Sequence, residues 1–306
     1  MKVIVTGATG FVGSHMVDFL LREEHHVEIF ATKRYHLSRT DNCDHFFDDV
    51  KWIDCNLKEY SSVLEMINSV RPDIIFHMAA ESFVSPSWRH PNEYMDANYK
   101  MTVNILEAIK FLELETKVHL PGSGEEYGDI KEENLPITTS TLLNPVNPYA
   151  VTKIAQDLIG FVYWKSFGVQ VIRTRAFNHE GPRRHFVFGI PWYSYQIARI
   201  EQGLQPPVVE TGHIDDKRNF TDVRDMVRAY WLACHHCSPG ELYLVGQEDR
   251  SMVCTFRQAI NRLLQISKLN PDEVEIKQVQ HYTRPTNVPF LISDISKFNS
   301  VVDWSI

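Results

Sequence analysis

Eight residues near the amino terminus restrict the fold more than any other stretch. Thr6-Gly7-Ala8-Thr9-Gly10-Phe11-Val12-Gly13 follows directly on the apolar run Val3 to Thr6 and opens a segment whose Met16, Phe19 and Leu20 fall at helical spacing. A strand-to-helix turn of this kind needs one glycine for the tight turn, one where backbone approaches a pyrophosphate, and one where helix and strand pack closely. The helix amino terminus then faces the phosphates with its unpaired N–H groups. Gly7, Gly10 and Gly13, with Phe11 and Val12 between them, are therefore candidate cofactor-binding residues. A glycine triplet alone also fits a turn in some other doubly wound protein, and its place after the first strand is what favours a dinucleotide.

Strand-like runs alternate with helical ones beyond this turn. Val27 to Ala31, Lys51 to Asp54, Ile74 to His77 and Lys117 to Pro121 read as strands; Val63, Met66, Ile67 and Val70 recur at helical spacing, as do Val103, Ile105, Leu106 and Ile109. The alternation predicts an α/β fold, a Rossmann-type doubly wound parallel sheet covered on both faces. Tyr149 to Phe167 predicts a further helix and Val169 to Thr174 a further strand. After about Phe177 the texture changes, with Pro182, Pro191, Pro206 and Pro207 among shorter apolar runs. The expected division is a dinucleotide-binding domain over 1–177 and a smaller mixed C-terminal substrate lobe over 178–306, with Phe220 to Val223 and Leu242 to Val245 as strand pieces that can serve either.

Charge and cysteine content exclude some classes of function. With 39 acidic against 31 basic residues the formal charge is -8, so nucleic acid meets net repulsion, although local arginines can still bind a diphosphate. Met1-Lys2-Val3-Ile4 runs straight into the first strand without a charged leader or long apolar segment, which predicts a cytoplasmic protein with no membrane partner. The five cysteines are scattered and odd in number, against a secreted disulfide framework. Cys234-His235-His236-Cys237 lacks a second pair at finger spacing and reads as a helix end, so no metal is expected.

The end of the second strand selects between the nicotinamide cofactors, because an acidic residue there accepts from the adenosine ribose and repels a phosphate. Ala31-Thr32-Lys33-Arg34 holds no carboxylate, and Lys33 and Arg34 offer cations to a 2′-phosphate, which predicts NADP(H). Thr32 shares that strand end; Asp54 and Asn56 close the third strand where adenine would lie, and Ala79 and Ala80 follow the fourth.

Tyr149-Ala150-Val151-Thr152-Lys153 places a phenol and an ammonium on one face of a helix. An ammonium close by favours phenolate, so Tyr149 is expected to have a lowered pKa and to exchange a proton with a sugar oxygen while hydride moves. Ser123, in Pro121-Gly122-Ser123-Gly124-Glu125-Glu126-Tyr127-Gly128, is placed at a strand end to hydrogen-bond the same oxygen. The candidate catalytic residues are Ser123, Glu125, Tyr149 and Lys153.

These motifs together resemble the extended short-chain dehydrogenase/reductases that remodel nucleotide sugars, over nearly the whole chain. Within that group the chain is most similar to the GDP-mannose 4,6-dehydratases and the GDP-4-keto-6-deoxy-mannose reductases, in Ala79 to Val84, Gly122 to Gly128, Arg175 to Arg184, Arg218 to Asp225 and Arg284 to Val288. The resemblance implies a nucleotide-diphosphate sugar as substrate, with a GDP-hexose favoured, bound by Ser82, Asn178, Arg218 and Arg284. Asn178 would hold a diphosphate or sugar oxygen, and the two arginines would grip the phosphates with their planar forks. Arg183 and Arg184 lie in a loop that in relatives also serves subunit and cofactor contacts. It further implies a homodimer or higher homo-oligomer, paired through the helices Asn92 to Leu112 and Tyr149 to Phe167.

The two related chemistries differ in their demands. A dehydratase oxidises C4, removes the C5 proton and expels the C6 hydroxyl, and Glu125 stands where dehydratases carry the C5 base. Ser123 to Gly128, Ser85-Pro86-Ser87-Trp88 and Asn219 to Asp225 look more like the reductases, whereas His179 to Arg184 looks more like the dehydratases. Gly124 departs from both, since relatives often carry a hydroxyl or acid there. The favoured expectation is reduction of a GDP-4-keto-6-deoxy-hexose at C4 with Tyr149 as acid. The alternatives are a GDP-mannose 4,6-dehydratase, an epimerase, or an NADP-binding protein without turnover.

Overall fold

A computed structural model describes all residues of the protein except 283–285, 287 and 289, and its centre is a single parallel sheet. The strands are β1 (Lys2–Thr6), β2 (Glu28–Lys33), β3 (Lys51–Asp54), β4 (Ile74–His77), β5 (Lys117–Ser123), β6 (Val171–Ala176) and β7 (Leu242–Val245), in the order β7-β6-β5-β4-β1-β2-β3. Every neighbouring pair is parallel. The strand order reverses between β1 and β4, and the crevice beyond their carboxyl ends is where such sheets bind ligands.

Alternating side chains of β1 feed two cores. Val3 and Val5 face Met16 and Leu20 of α1 (Phe11–Glu23), while Ile4 faces the opposite side with Val63 and Ile67 of α2 (Tyr60–Val70) and Ile105 of α3 (Met101–Phe111). Each such aliphatic side chain contributes about 1.5–3 kcal/mol on full burial. The long helix α4 (Pro148–Phe167) covers the second face; Asn147 caps it by accepting from the Ala150 N–H at 2.8 Å, Pro148 fits its first turn, and Gly168 ends it at φ +74°. α5 (Val223–His236) packs beside α1 on the first face.

Two predicted segments fold differently. Phe220 to Val223 stays out of the sheet: Thr221–Asp222 pairs with His179–Glu180 in a separate ribbon, and Val223 starts α5. The expected helix Asn92 to Leu112 is interrupted, running as Pro91–Met95, a π-helical turn Asp96–Lys100, and then α3. Asn98 sits in that turn, 1% exposed, where its side chain accepts from the Glu81 N–H and donates to the Glu81 carbonyl and the Thr152 hydroxyl, tying the β4 exit loop to α4.

Outside the sheet, the helices Gly189–Glu201 and Phe256–Ile266 close a separate small core around Tyr193, Ile197, Ile260 and Leu264, beside the parallel pair Val208–Thr211 and Glu275–Gln278. Among the described residues no helix is long and apolar enough to cross a membrane. Cys234 and Cys237 are buried thiols at the end of α5.

Candidate active site

The glycine turn is built by close backbone approach. Gly7 has φ +64°, and a Cβ there would meet Ala79 Cα and N at 2.8 Å, so β1 and the β4 exit touch main chain to main chain. A Cβ on Gly13 would lie 2.2 Å from the Gly7 carbonyl oxygen, which locks α1 against the turn. Thr6 Oγ1 accepts from the Ala79 N–H at 3.1 Å and shares a 2.9 Å hydrogen bond with His77 Nδ1; Thr32 Oγ1 accepts from the Gly7 N–H at 3.3 Å. The first turn of α1 carries no acidic residue, leaving its positive end uncompensated. Phe11 turns its ring away to stack on His179 at 5.9 Å, and Val12 packs against the first core.

The expected 2′-phosphate cations are not equivalent. Lys33 donates to Asp54 at 2.6 Å across β2 and β3, so Asp54 is an ion-pair partner first, whereas Arg34 is exposed at the strand end. Asn56 turns its side chain back to accept from the Lys58 N–H at 3.2 Å. Ala79 is half-buried, and Ala80 and Ser82 are exposed along the β4 exit loop.

Ser123 lies near enough to the Tyr149 phenol to act on its titration, and its own hydroxyl oxygen accepts from the Glu125 N–H at 3.2 Å. Burial of its hydroxyl pushes the Tyr149 phenol above its ordinary range; Glu125 and Glu126 add to the rise, and Ser123 and Arg184 oppose it. This corrects the expected lowered value. Lys153, 3% exposed, donates its ammonium to Gln156 at 2.6 Å, and the carboxylates beside the phenol favour its protonated form. Burial in turn lowers Lys153, against the raising effect of Glu126 and Asp157. Glu125 Oε2 accepts from Asn147 Nδ2 at 2.9 Å, so the residue that caps α4 also holds this carboxylate. Gly124 has a steric reason to lack a side chain: a Cβ there would press on the Phe177 ring at 3.1 Å.

Beneath these residues lies a charge cluster that the sequence reading missed. Arg173 donates to Asp157 at 2.6 and 3.0 Å, Arg175 donates to the same carboxylate at 2.6 Å and to the Tyr127 hydroxyl at 2.8 Å, and Arg175 Nε is 2.7 Å from Glu126 Oε2. Glu126, 0% exposed, also accepts from the Ser123 N–H at 2.7 Å. Ser123-x-x-Glu126 is the spacing of a capping box, a signal present in the sequence.

Of the second-lobe candidates, Asn178 and Arg218 are both half-buried. The Asn178 carbonyl accepts from the Thr221 N–H at 3.0 Å. Arg218 donates to the Lys217 carbonyl at 2.7 Å with its guanidinium 5.3 Å over the Phe256 ring. Arg284 falls outside the described residues. Arg183 binds back to its own α1, donating to Asp18 and to the Asn42 carbonyl and meeting His15 Nδ1 at 2.8 Å, while Arg184 stacks 3.9 Å over Phe188 and pairs with Glu180 at 3.2 Å. A cleft between Glu180, Arg184, Ser194, Phe220 and Asp222 opens there.

A seven-stranded Rossmann sheet with a glycine turn after its first strand, and a serine at β5 beside the tyrosine of a Tyr-x-x-x-Lys helix, defines an extended short-chain dehydrogenase/reductase. Within that class the family described as GDP-mannose 4,6 dehydratase matches residues 4–306, and the chain belongs to it. It is 31% identical to the GDP-6-deoxy-D-mannose reductase of Pseudomonas aeruginosa, over 90% of this chain and 83% of that one. It is 28% identical to a GDP-mannose 4,6-dehydratase of Vibrio cholerae, over 99% of this chain and 89% of that one. The solved structure of RMD from Pseudomonas aeruginosa complexed with NADPH superimposes with a TM-score of 0.83 at 28% identity, covering 99% of this chain and 93% of that chain.

Proposed function

We propose that the protein reduces the C4 ketone of a GDP-4-keto-6-deoxy-hexose with NADPH. The observation that carries this reading is the setting of Tyr149: Ser123, Glu125 and Glu126 surround a phenol that burial and the two carboxylates raise, which leaves it a proton donor for an oxyanion. Bound NADPH supplies the hydride that adds to C4. Tyr149 gives its proton to the C4 oxygen as the carbon–oxygen double bond becomes a single bond, and the Ser123 hydroxyl holds that oxygen in line. Lys153 keeps a positive charge on the same helix.

The glycine turn fits a dinucleotide, since Gly7 and Gly13 leave no room for side chains and α1 presents an uncompensated amino terminus. Gly7, Gly10, Phe11, Val12 and Gly13 would hold the pyrophosphate through their backbone; Thr32, Asn56, Ala79 and Ala80 would line the path, and Arg34, with Lys33 shared by Asp54, would meet the 2′-phosphate. Ser82, Asn178, Arg218 and Arg284 would hold the nucleotide sugar, with residues 178–306 supplying most of that lobe. The similarity to the Pseudomonas aeruginosa reductase and to the structure complexed with NADPH supports both assignments. We read the chain as a cytoplasmic homodimer; its five free thiols support a reducing compartment, and the exposed Val151, Leu158 and Val162 on α4 support pairing through that helix.

Dehydration of GDP-mannose is the second reading, favoured by a Glu125 near enough to the Tyr149 phenol to raise it. Two observations weigh against it: the Glu125 carboxylate is engaged by Asn147, and another polar group at position 124 would require the Phe177 ring to give by a few tenths of an ångström. An assay with GDP-mannose alone, then with its 4-keto-6-deoxy product plus NADPH, separates them. One NADPH oxidised per keto sugar supports the reductase, and loss of water from GDP-mannose without net cofactor consumption overturns it.

A further inference from the structure

Glu126 holds the Ser123 backbone from beneath and joins it to the buried Arg175 of β6. Its Oε1 accepts the Ser123 N–H at 2.7 Å, and its Oε2 is 2.7 Å from Arg175, which is itself bound to Asp157 on α4. The carboxylate occupies space that a side chain on residue 122 would fill: a Cβ on Gly122 would lie 2.5 Å from Glu126 Oε1. Three cations, Lys153, Arg173 and Arg175, thus face two carboxylates, Glu126 and Asp157, in a region closed to solvent. Burial raises the Glu126 carboxyl to about 7, with the Arg175 guanidinium opposing the rise, so above that pH the carboxylate is ionised and the cluster holds three positive charges against two negative.

We propose that Glu126 is a positioning residue for the redox step, fixing the Ser123 backbone and supplying the negative charge that keeps Lys153 an ammonium and Tyr149 a phenol. The proposal rests on the reading of Tyr149 as the acid. The other groups around Lys153 reinforce the need for such a charge. His77 and His119, from β4 and β5, are neutral and offer no counter-charge; Arg173 and Arg175 on β6 are positive; Asp157 on α4 is shared between those two arginines; and Tyr230 of α5 is a neutral phenol near Tyr149. Glu126 raises both the Lys153 ammonium and the Tyr149 phenol, so removing its charge lowers both, and each loss acts in the same direction on the rate as pH rises.

The test is the pH profile of kcat in Glu126→Gln, which keeps a carbonyl to accept from Ser123 but carries no charge. The alkaline limb is expected to move down by about one pH unit or more, with KM for the nucleotide sugar within about threefold of the parent, and Glu126→Asp is expected to restore the limb. A limb that stays in place while kcat falls equally at all pH values overturns the proposal and leaves Glu126 a structural residue. Should Glu126→Gln not fold, the paired change Glu126→Gln with Arg175→Met leaves no orphaned charge and is read in the same way. Titration of the Lys153 ammonium by ¹⁵N-lysine resonances, assigned with Lys153→Met, needs no turnover. A downward shift there in an enzyme silent on the keto sugar would refute the substrate reading alone, and an unmoved resonance would refute the role of Glu126 alone.

Discussion

Acidification tests how the centre of the sheet is built. His77 and His119 stand on adjacent strands, are 1% and 0% exposed, and are each lowered from 6.5 to about 3, by burial first and by the Lys153 ammonium next. Both rings are therefore neutral in the folded chain near neutral pH, while the unfolded chain takes up a proton on each around pH 6.5. Because the folded value lies below the unfolded one, the stability they contribute is fully present above that pH and is lost as pH falls toward 3. Each pH unit inside the window is about 1.4 kcal/mol per proton, so moving from about pH 7 to about pH 5 costs about 2 kcal/mol for each ring and about 4 kcal/mol for the pair. That is a large share of the ~5–15 kcal/mol typical of a folded protein. The assay is the urea midpoint at a series of pH values for the parent and for His77→Asn with His119→Gln, which retain polar side chains opposite Thr6 and Thr174. The double variant is expected to lose about 4 kcal/mol less than the parent over that interval, and each single variant about half as much. Glu126 and His179 titrate in both proteins and cancel in the comparison. Parallel stability curves for parent and double variant would refute the reasoning.

Three further outcomes follow from the site. Glu125→Gln keeps an oxygen for Asn147 Nδ2, so keto-sugar reduction should stay within about threefold of the parent; a loss of about a hundredfold or more would instead make Glu125 a proton-transfer group. Asp54→Asn releases Lys33 from a partly exposed ion pair worth about 0.2–1 kcal/mol, so the preference for NADPH over NADH, read from the two kcat/KM values, should rise by about 1.4- to 5-fold. Gly13→Ala drives a methyl into the Gly7 carbonyl, 2.2 Å away, and should cost about 1–3 kcal/mol in the urea midpoint together with a marked loss of NADPH affinity by fluorescence titration.

Much of the fold was legible because its central strands are buried on both faces and its strands are bounded by turn residues. Lys51 to Asp54, Ile74 to His77 and Leu242 to Val245 form strands over those same residues. The π turn at Asp96–Lys100 was not legible, since apolar spacing runs almost unbroken through it and the side-chain bonds of Asn98 are tertiary. The pairing of Ser123 with Tyr149 follows from order and position along an α/β chain. The direction of the Tyr149 shift does not, because spacing puts Lys153 on the right helical face without saying that its ammonium meets Gln156 or that Glu126 and Glu125 flank the phenol. Arg173 and Arg175 carried a readable signal: two arginines at alternate positions of a strand point to one face, and in a doubly covered sheet that face must supply carboxylates. Asp157 and Glu126 are those carboxylates.

The small residues around Ser123 connect this cluster to the chemistry. Gly122 leaves room on one side for the Glu126 carboxylate, and Gly124 leaves room on the other for the Phe177 ring. A side chain at 122 would displace the buried charge, and a large one at 124 would displace the ring, so the two glycines frame a serine whose backbone is held by a carboxylate and whose hydroxyl faces the phenol. Beside Ser123 and Tyr149, Glu125 is then the remaining acidic side chain of this loop half-exposed at the site, because Glu126 is sealed beneath it. Its carboxylate is already engaged by the amide that caps α4. Any movement of Glu125 toward a substrate proton would give up that hydrogen bond. Protonation of an alkoxide by Tyr149 asks for no such movement, and on this ground the local architecture favours hydride addition over elimination.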